Sequence, residues 1–443
     1  MSMILISILV IISIIAIILL TSSLKLHAFI ALFVVSVALA LAVLPADTII
    51  KTIKEGFGAT MGSIGFLIIF GAIIGITLDK TGGTLSIAEY ILSRTGEKRS
   101  AAALGITGFI TGLPIFCDSG FIILNGLAKS FSIRSGTAVT FMVTVLATSL
   151  YSVHCLIPPH PGALAAAGML EANIGYLVMM GIVFAIPGAL AAYFWSRFMT
   201  RGSKPEKDEA SDSQKKQPMA DLPPVFLSFL PIVVPLLLIT IKSLAAIGDK
   251  TGESMVSHIF AFPGEPVIAL FTGVLLSLLL IKKRDIHSLN ALFSEAVVKA
   301  GPILIITAAG GMFGLVIKST GVGEAMGEIL SGSKAGILVP FLIAAVMKTA
   351  QGSSTVAIIT AASFVAPMLP MLGLDSEWGR LFAMLAMGSG SMIVSHANDS
   401  YFWVVTNFGE ISVNYTLKVY TSSTLIMGSV VFLCVWLVSA SIL

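Results

Sequence analysis

An all-α polytopic membrane protein is the fold the sequence predicts, built as two inverted repeats that each hold about five transmembrane helices and one re-entrant helical hairpin. Three observations carry that reading. Hydrophobic residues make up 56% of the chain and charged residues only 11%, with a mean hydropathy of +1.00, so lipid replaces water as the solvent to be satisfied. Apolar runs of about 20 residues, the length needed to cross a bilayer, recur along the chain. The order of those runs repeats after one polar interruption.

The first repeat covers residues 1–196, with spans near 3–20, 26–44, 57–78, 137–157 and 174–196. No basic residue precedes the first run, so it reads as a retained span and not a cleaved signal. Between the third and fourth spans, residues 100–131 are apolar but bent at Leu113–Gly120, where Pro114 and Gly120 disfavour a continuous helix. That pattern predicts a hairpin. Residues 197–221, rich in Lys, Glu, Asp, Ser and Gln, predict a solvated cytoplasmic linker. The second repeat, 222–443, has spans near 222–245, 264–281, 296–317, 380–408 and 420–440, with a hairpin at 336–371 bent between Lys348 and Thr355.

A shift of 239 positions lays Gly62, Ile64, Gly71, Gly75, Thr81 and Gly82 on Gly301, Ile303, Gly310, Gly314, Thr320 and Gly321. Chance at this composition would supply about two such identities. Five spans in the first half would make the second half insert upside down. Placing the N-terminus outside puts Lys98, Arg99, Arg197, Arg201, Lys282, Lys283 and Arg284 on the inner side, as the positive-inside rule expects. Inverted repeats with broken helices are a transporter plan.

The net charge of +3, scattered among loops, gives no basis for a nucleic-acid partner. Cys117, Cys155 and Cys434 have neither C-x-x-C spacing nor a disulfide pattern. No spacing of His and Asp signals a metal, so none is assigned, and the chain does not read as an enzyme.

Four polar clusters interrupt the apolar runs. The first is Asp118, Ser119 and Gly120 at the inner hairpin; the second is Gln351, Gly352, Ser353, Ser354 and Thr355 at the outer one. A new helix follows each, so its free N–H groups and dipole favour an anion such as a carboxylate. Asp118 and Ser353 could equally be helix N-caps. A carboxylate at membrane depth is costly and points to function. The third cluster surrounds Pro158-Pro-His-Pro-Gly162 with Ser152, His154 and His160. The fourth, Ser395, His396, Asn398, Asp399 and Ser400, places a histidine and an aspartate close enough to titrate together. The Gly71 and Gly75 pair reads as close helix packing.

Through Phe116-Cys-Asp-Ser-Gly-Phe121, Pro158-Pro-His-Pro-Gly162, Gln351-Gly-Ser-Ser-Thr-Val356 and Ser395-His-Ala-Asn-Asp-Ser400, the chain resembles the gluconate permease family of gluconate:proton symporters, within the ion transporter superfamily. The resemblance covers the whole chain. It implies a bacterial inner-membrane permease for sugar acids and related small hydroxy or amino acids, including gluconate, idonate and D-serine. It also implies proton coupling and a homodimer in which a scaffold holds a moving domain. Two positions depart from the pattern: Ala163 where a further proline is expected, and Tyr401 where glycine is expected. A ring at Tyr401 would reshape the substrate pocket.

The expectation is a secondary active transporter importing a hydroxylated carboxylate with protons, driven by the proton motive force without a cofactor. The substrate would meet Asp118, Ser119, Gly120, His160, Gln351, Gly352, Ser353, Ser354, Thr355, Ser395 and Asn398. The proton would use Asp118, His154, His396 and Asp399. Sodium-coupled uptake of a carboxylate or dicarboxylate is the alternative, with an intramembrane hydrolase behind it.

Overall fold

A backbone in lipid must satisfy its own polar groups, and helices do so within one segment. The computed structural model describes residues 3–95, 100–201, 222–248, 255–282, 285–320, 336–396 and 399–443, and every regular element among them is helical. Six helical segments among the described residues are long and apolar enough to cross a membrane alone. That is fewer than five full spans per half, because several of the expected spans are shorter or divided helices. The span expected at 264–281 is the short helix Pro266–Leu278, bent by 63° from Met255–Ala261. The span expected at 380–408 is two helices, Glu377–Met392 and Ser400–Gly409. The helix Ile174–Met199 runs past the expected start of the linker. Residues 202–221 lie outside the described residues.

The repetition in the sequence recurs in the helix bounds. Moving Ala46–Thr81 by 239 positions lands on Asp285–Thr320, and the helix found there is Ile286–Ser319. Asp285 caps it, accepting from the Ser288 backbone N–H at 2.9 Å and from the Ser288 hydroxyl at 2.8 Å. These bonds, the backbone one first, hold its carboxyl below the usual carboxylate range. Glu171 and Glu410 correspond under the same shift, and both adopt left-handed backbone, with φ of 54° and 53°. Each reaches across to the other half: Glu171 to Arg380 and Glu410 to Lys129, both at 2.8 Å.

The two long helices pack side by side. Each also carries the other half's short helix, Ala28–Val43 on Ile286–Ser319 and Pro266–Leu278 on Ala46–Thr81. Apolar side chains of Met3–Ser22, including Ile8, Ile11 and Ile15, remain exposed, as a lipid-facing helix requires. At the centre lie Val139–Leu156 and Glu377–Met392, buried along nearly their whole lengths. The first hairpin, Ser100–Gly112 and Cys117–Ser135, packs on the former; the second, Leu338–Gln351 and Ser354–Val365, packs on the latter.

Small residues let the breaks approach the long helices. A Cβ at Gly71 would stand 2.9 Å from the Pro159 carbonyl oxygen, and one at Gly75 only 2.7 Å from that of Pro114. These glycines one turn apart therefore seat two chain breaks and not a neighbouring helix, which corrects the helix-packing expectation for this pair. Gly310 and Gly314, expected to pack likewise, do face the helix Ser354–Val365 at Ile359 and Ser363. Gly75→Ala should lower the apparent melting temperature in detergent, at a cost of about 1–3 kcal/mol from overpacking. Gly314→Ala, whose Cβ would meet nothing closer than 3.4 Å, is the control expected to melt like the parent.

Candidate functional site

Four helix breaks meet along the second half of Val139–Leu156, from Ala147 to its C-terminal end. The first hairpin breaks over Leu113–Phe116, and its second arm starts at Cys117. Asp118, Ser119 and Gly120 therefore sit in the first turn of that arm, and the N-cap is Phe116. Asp118 Oδ1 is buried with no hydrogen-bond partner among the described residues. Gly120 gives the arm its close approach, since a Cβ there would fall 2.8 Å from Ile115 and 2.9 Å from Leu150.

The second hairpin turns in two residues. Gly352 adopts φ 86°, a conformation open to glycine and strained for other residues. Ser353 caps the following helix by accepting from the Val356 N–H at 3.3 Å. Its hydroxyl is thus already engaged as a cap, while Ser354 and Thr355 begin the helix proper. Gln351 ends the preceding arm.

At the third break, Pro158, Pro159 and Pro161 end one helix and start the next, with His160 as N-cap. His160 Nε2 lies 2.6 Å from the carbonyl of Gly112, the last residue of a hairpin arm. A carbonyl can only accept, so Nε2 carries the proton and Nδ1 of the neutral ring accepts. His154 Nδ1, 3.1 Å away, is then the donor. That leaves His154 Nε2 to accept from the Thr355 hydroxyl at 3.4 Å. One chain of hydrogen bonds runs from the tip of the second hairpin, through two buried imidazoles, to the end of an arm of the first.

The fourth break, Ile393–Asp399, divides the expected span 380–408. Val394 adopts φ 49°, an outlier for a β-branched residue. Asp399 caps Ser400–Gly409 through Oδ1, which accepts from the Tyr401 N–H at 3.0 Å. Its Oδ2 accepts from the Ser395 hydroxyl at 2.5 Å and pairs with Lys348 Nζ at 2.5 Å. Lys348 is fully buried and Asp399 is 3% exposed. Lys348 also donates to the Gly352 carbonyl and stands 5.5 Å from the ring centre of Tyr151.

The partner expected for Asp399 was His396. The structure gives that carboxylate to Lys348, and the His396 ring instead donates to the Thr349 carbonyl at 3.3 Å. Asn398 lies outside the described residues. Tyr401 belongs to the same centre: its hydroxyl donates to the Ala147 carbonyl at 3.1 Å, and its ring contacts Phe121, Tyr151 and Tyr420. Ala163, the other departure, lines a narrow cleft with His154, Gly162, Ser354, Thr355 and Ser391.

Residues 3–441 match the family described as GntP family permease. The chain belongs to the GntP permease family. A gluconate permease of Pseudomonas aeruginosa is 30% identical over 437 residues, 97% of this chain and 96% of the relative. An inner membrane permease of Escherichia coli K12, YgbN, is 32% identical over 445 residues, 97% of each chain. Among solved structures, the YdaH transporter of Alcanivorax borkumensis shares the fold with a TM-score of 0.56 at 12% identity, over 93% of this chain and 97% of that one. As a GntP family member the chain is a multi-pass inner-membrane permease and not an enzyme.

Lys348 and Tyr151 are the central residues that motif reading missed. The signal for Lys348 was present: it is the single charge in the helix Leu338–Gln351, and the cost that singled out Asp118 applies equally to it. Tyr151 gave no signal, since a tyrosine in an apolar run is ordinary.

Removing one partner from a buried ion pair leaves the other charge stranded, at about 3–5 kcal/mol. Lys348→Met alone should therefore reduce the melting temperature in detergent and the monodisperse yield. The double variant Lys348→Met/Asp399→Asn should recover most of that loss, as measured by fluorescence-detected size exclusion after heating.

Proposed function

We propose that this GntP permease is a secondary active transporter that imports gluconate or a related small hydroxylated acid together with protons. The observation that carries the reading is the meeting of two helical hairpins, each with a polar first turn, at one buried centre of carboxylates and imidazoles. Helix N-termini favour an anion through their free N–H groups. The first turns of Cys117–Ser135 and Ser354–Val365 supply them, with Ser119, Gly120, Ser354 and Thr355 nearest a carboxylate. His160, Ser395 and Asn398 are assigned to hydroxyl groups of the substrate. Asp118, Asp399, His154 and His396 form the proton-handling set, Asp118 because its buried Oδ1 has no partner among the described residues. The names of relatives support the substrate class: the Pseudomonas aeruginosa protein is a gluconate permease.

In the proposed membrane orientation the N-terminus is outside and the two halves are inverted. The reciprocal pairs Lys129–Glu410 and Arg380–Glu171 then lie on opposite faces. A homodimer is proposed as the working assembly. Purified protein in proteoliposomes should accumulate labelled gluconate under an inward proton gradient without sodium, and a protonophore should abolish the accumulation. Accumulation that requires sodium at fixed pH would replace the proton by sodium. Asp118→Asn should reconstitute normally yet lose accumulation; undiminished proton-driven uptake in that variant would remove Asp118 from the coupling set.

A further inference from the structure

The geometry points to Lys348 as the anchor for the substrate carboxylate, held in reserve by Asp399 until Asp399 takes up a proton. The inference rests on the proposed function and names the group that recognises the acid. In the described state the Lys348 ammonium has no exposed surface and three neighbours: Asp399 Oδ2, the Gly352 carbonyl and the face of Tyr151. An ammonium offers three donors and is a strong partner for a carboxylate. Its place is the tip of the second hairpin, one turn before Gly352 and Ser353, so it stands beside the N-terminus assigned to the anion. Asp399 therefore occupies the position an incoming carboxylate would take.

Charge balance supplies the reason for the exchange. Lys348 and Asp399 together are neutral. A substrate carboxylate added to that pair would bring a buried net negative charge, which costs heavily at membrane depth. If a proton bonds to an Asp399 oxygen, its anionic charge is lost, the Lys348 ion pair opens, and the substrate carboxylate closes a new one with the same ammonium. Counted over Lys348, Asp399 and the substrate, the sum is again zero, with one proton and one acid anion loaded together. Protonated Asp399 can still accept the Tyr401 N–H through one oxygen, so the cap of Ser400–Gly409 survives. No oxidant or further co-reactant is needed.

The groups that face the pair come from several elements. Asp118 and Cys117 look in from the first hairpin; Tyr151, His154 and Cys155 from Val139–Leu156; and Tyr401 and Tyr420 from the fourth break and the last helix region. Asp118 is the one other carboxylate among them, and its charge acts on the same centre as Asp399 and Lys348. Asp399 differs from it in being already bonded to the ammonium, which is what an exchange requires.

The test uses the full chain in detergent, with labelled gluconate binding by equilibrium dialysis between pH 5.5 and 8.5, and proton uptake followed by an indicator dye in weak buffer. Wild-type protein should take up about one proton per gluconate bound at the alkaline end, and its affinity should fall about tenfold per pH unit there. Asp399→Asn mimics the loaded state, so it should bind at pH 8.5 at least about tenfold more tightly than wild type, with little pH dependence and no proton uptake. Lys348→Met/Asp399→Asn keeps the site neutral and foldable, and should bind about a hundredfold more weakly than Asp399→Asn. Wild-type affinity in the double variant, or unchanged proton uptake in Asp399→Asn, overturns the exchange while leaving gluconate transport standing. Failure of wild-type protein to bind gluconate, idonate or D-serine overturns the proposed function and the inference with it.

Discussion

A lysine ammonium with no exposed surface cannot stand alone in a membrane protein, and the packing around Asp399 follows from that constraint. The pair with Lys348 requires the chain to bring Asp399 in from 51 residues away. It does so by breaking the apolar run that follows Glu377–Met392, which turns a would-be span into two helices with an aspartate at the new N-terminus. The same carboxylate caps the helix it begins. Ion pair and helix start therefore share one carboxylate, with Oδ2 serving the pair and Oδ1 the cap.

Backbone satisfaction governs the remaining breaks. Each interruption frees carbonyl and N–H groups that lipid cannot bond, and side chains of the same or a neighbouring break answer several of them. Gly112 ends its arm with a carbonyl taken by His160, and the Gly352 carbonyl is taken by Lys348. Thr355 in the second hairpin reaches His154, which in turn reaches His160. The breaks thus hold one another, and the long helix Ala46–Thr81 is notched at Gly71 and Gly75 where the Pro159 and Pro114 carbonyls press in.

Much of this was legible in the sequence. Proline and glycine inside apolar runs located both hairpins, because those residues act on the backbone directly and need no partner to be recognised. The recurrence of the long helix was legible for the same reason, through glycines at matching positions of Ala46–Thr81 and Ile286–Ser319. Pairings were not. Histidine and aspartate three positions apart suggested a titrating pair, yet the helix start at Ser400 turns Asp399 toward the second hairpin, and His396 bonds to the Thr349 carbonyl. Sequence distance gives no hint that Lys348 is the true neighbour. The expected span 380–408 failed for a related reason: hydropathy averages over a window, and a break lined by Ser395 and Asp399 disappears between the apolar residues on either side.

Tyr401 carries the argument about specificity one step further. Where the family resemblance leads to an expectation of glycine, this chain places a ring against Phe121, Tyr151 and Tyr420, and its hydroxyl ties the start of Ser400–Gly409 to the Ala147 carbonyl. An aromatic ring beside a buried ion pair excludes water from it, and exclusion strengthens the attraction between the charges while raising the cost of separating them. It also fills volume that a glycine would leave to ligand. Both effects act two residues after the aspartate, just past the new helix start. The carboxylate that pairs with Lys348 and the ring that shields the pair thus stand two residues apart on one turn of chain.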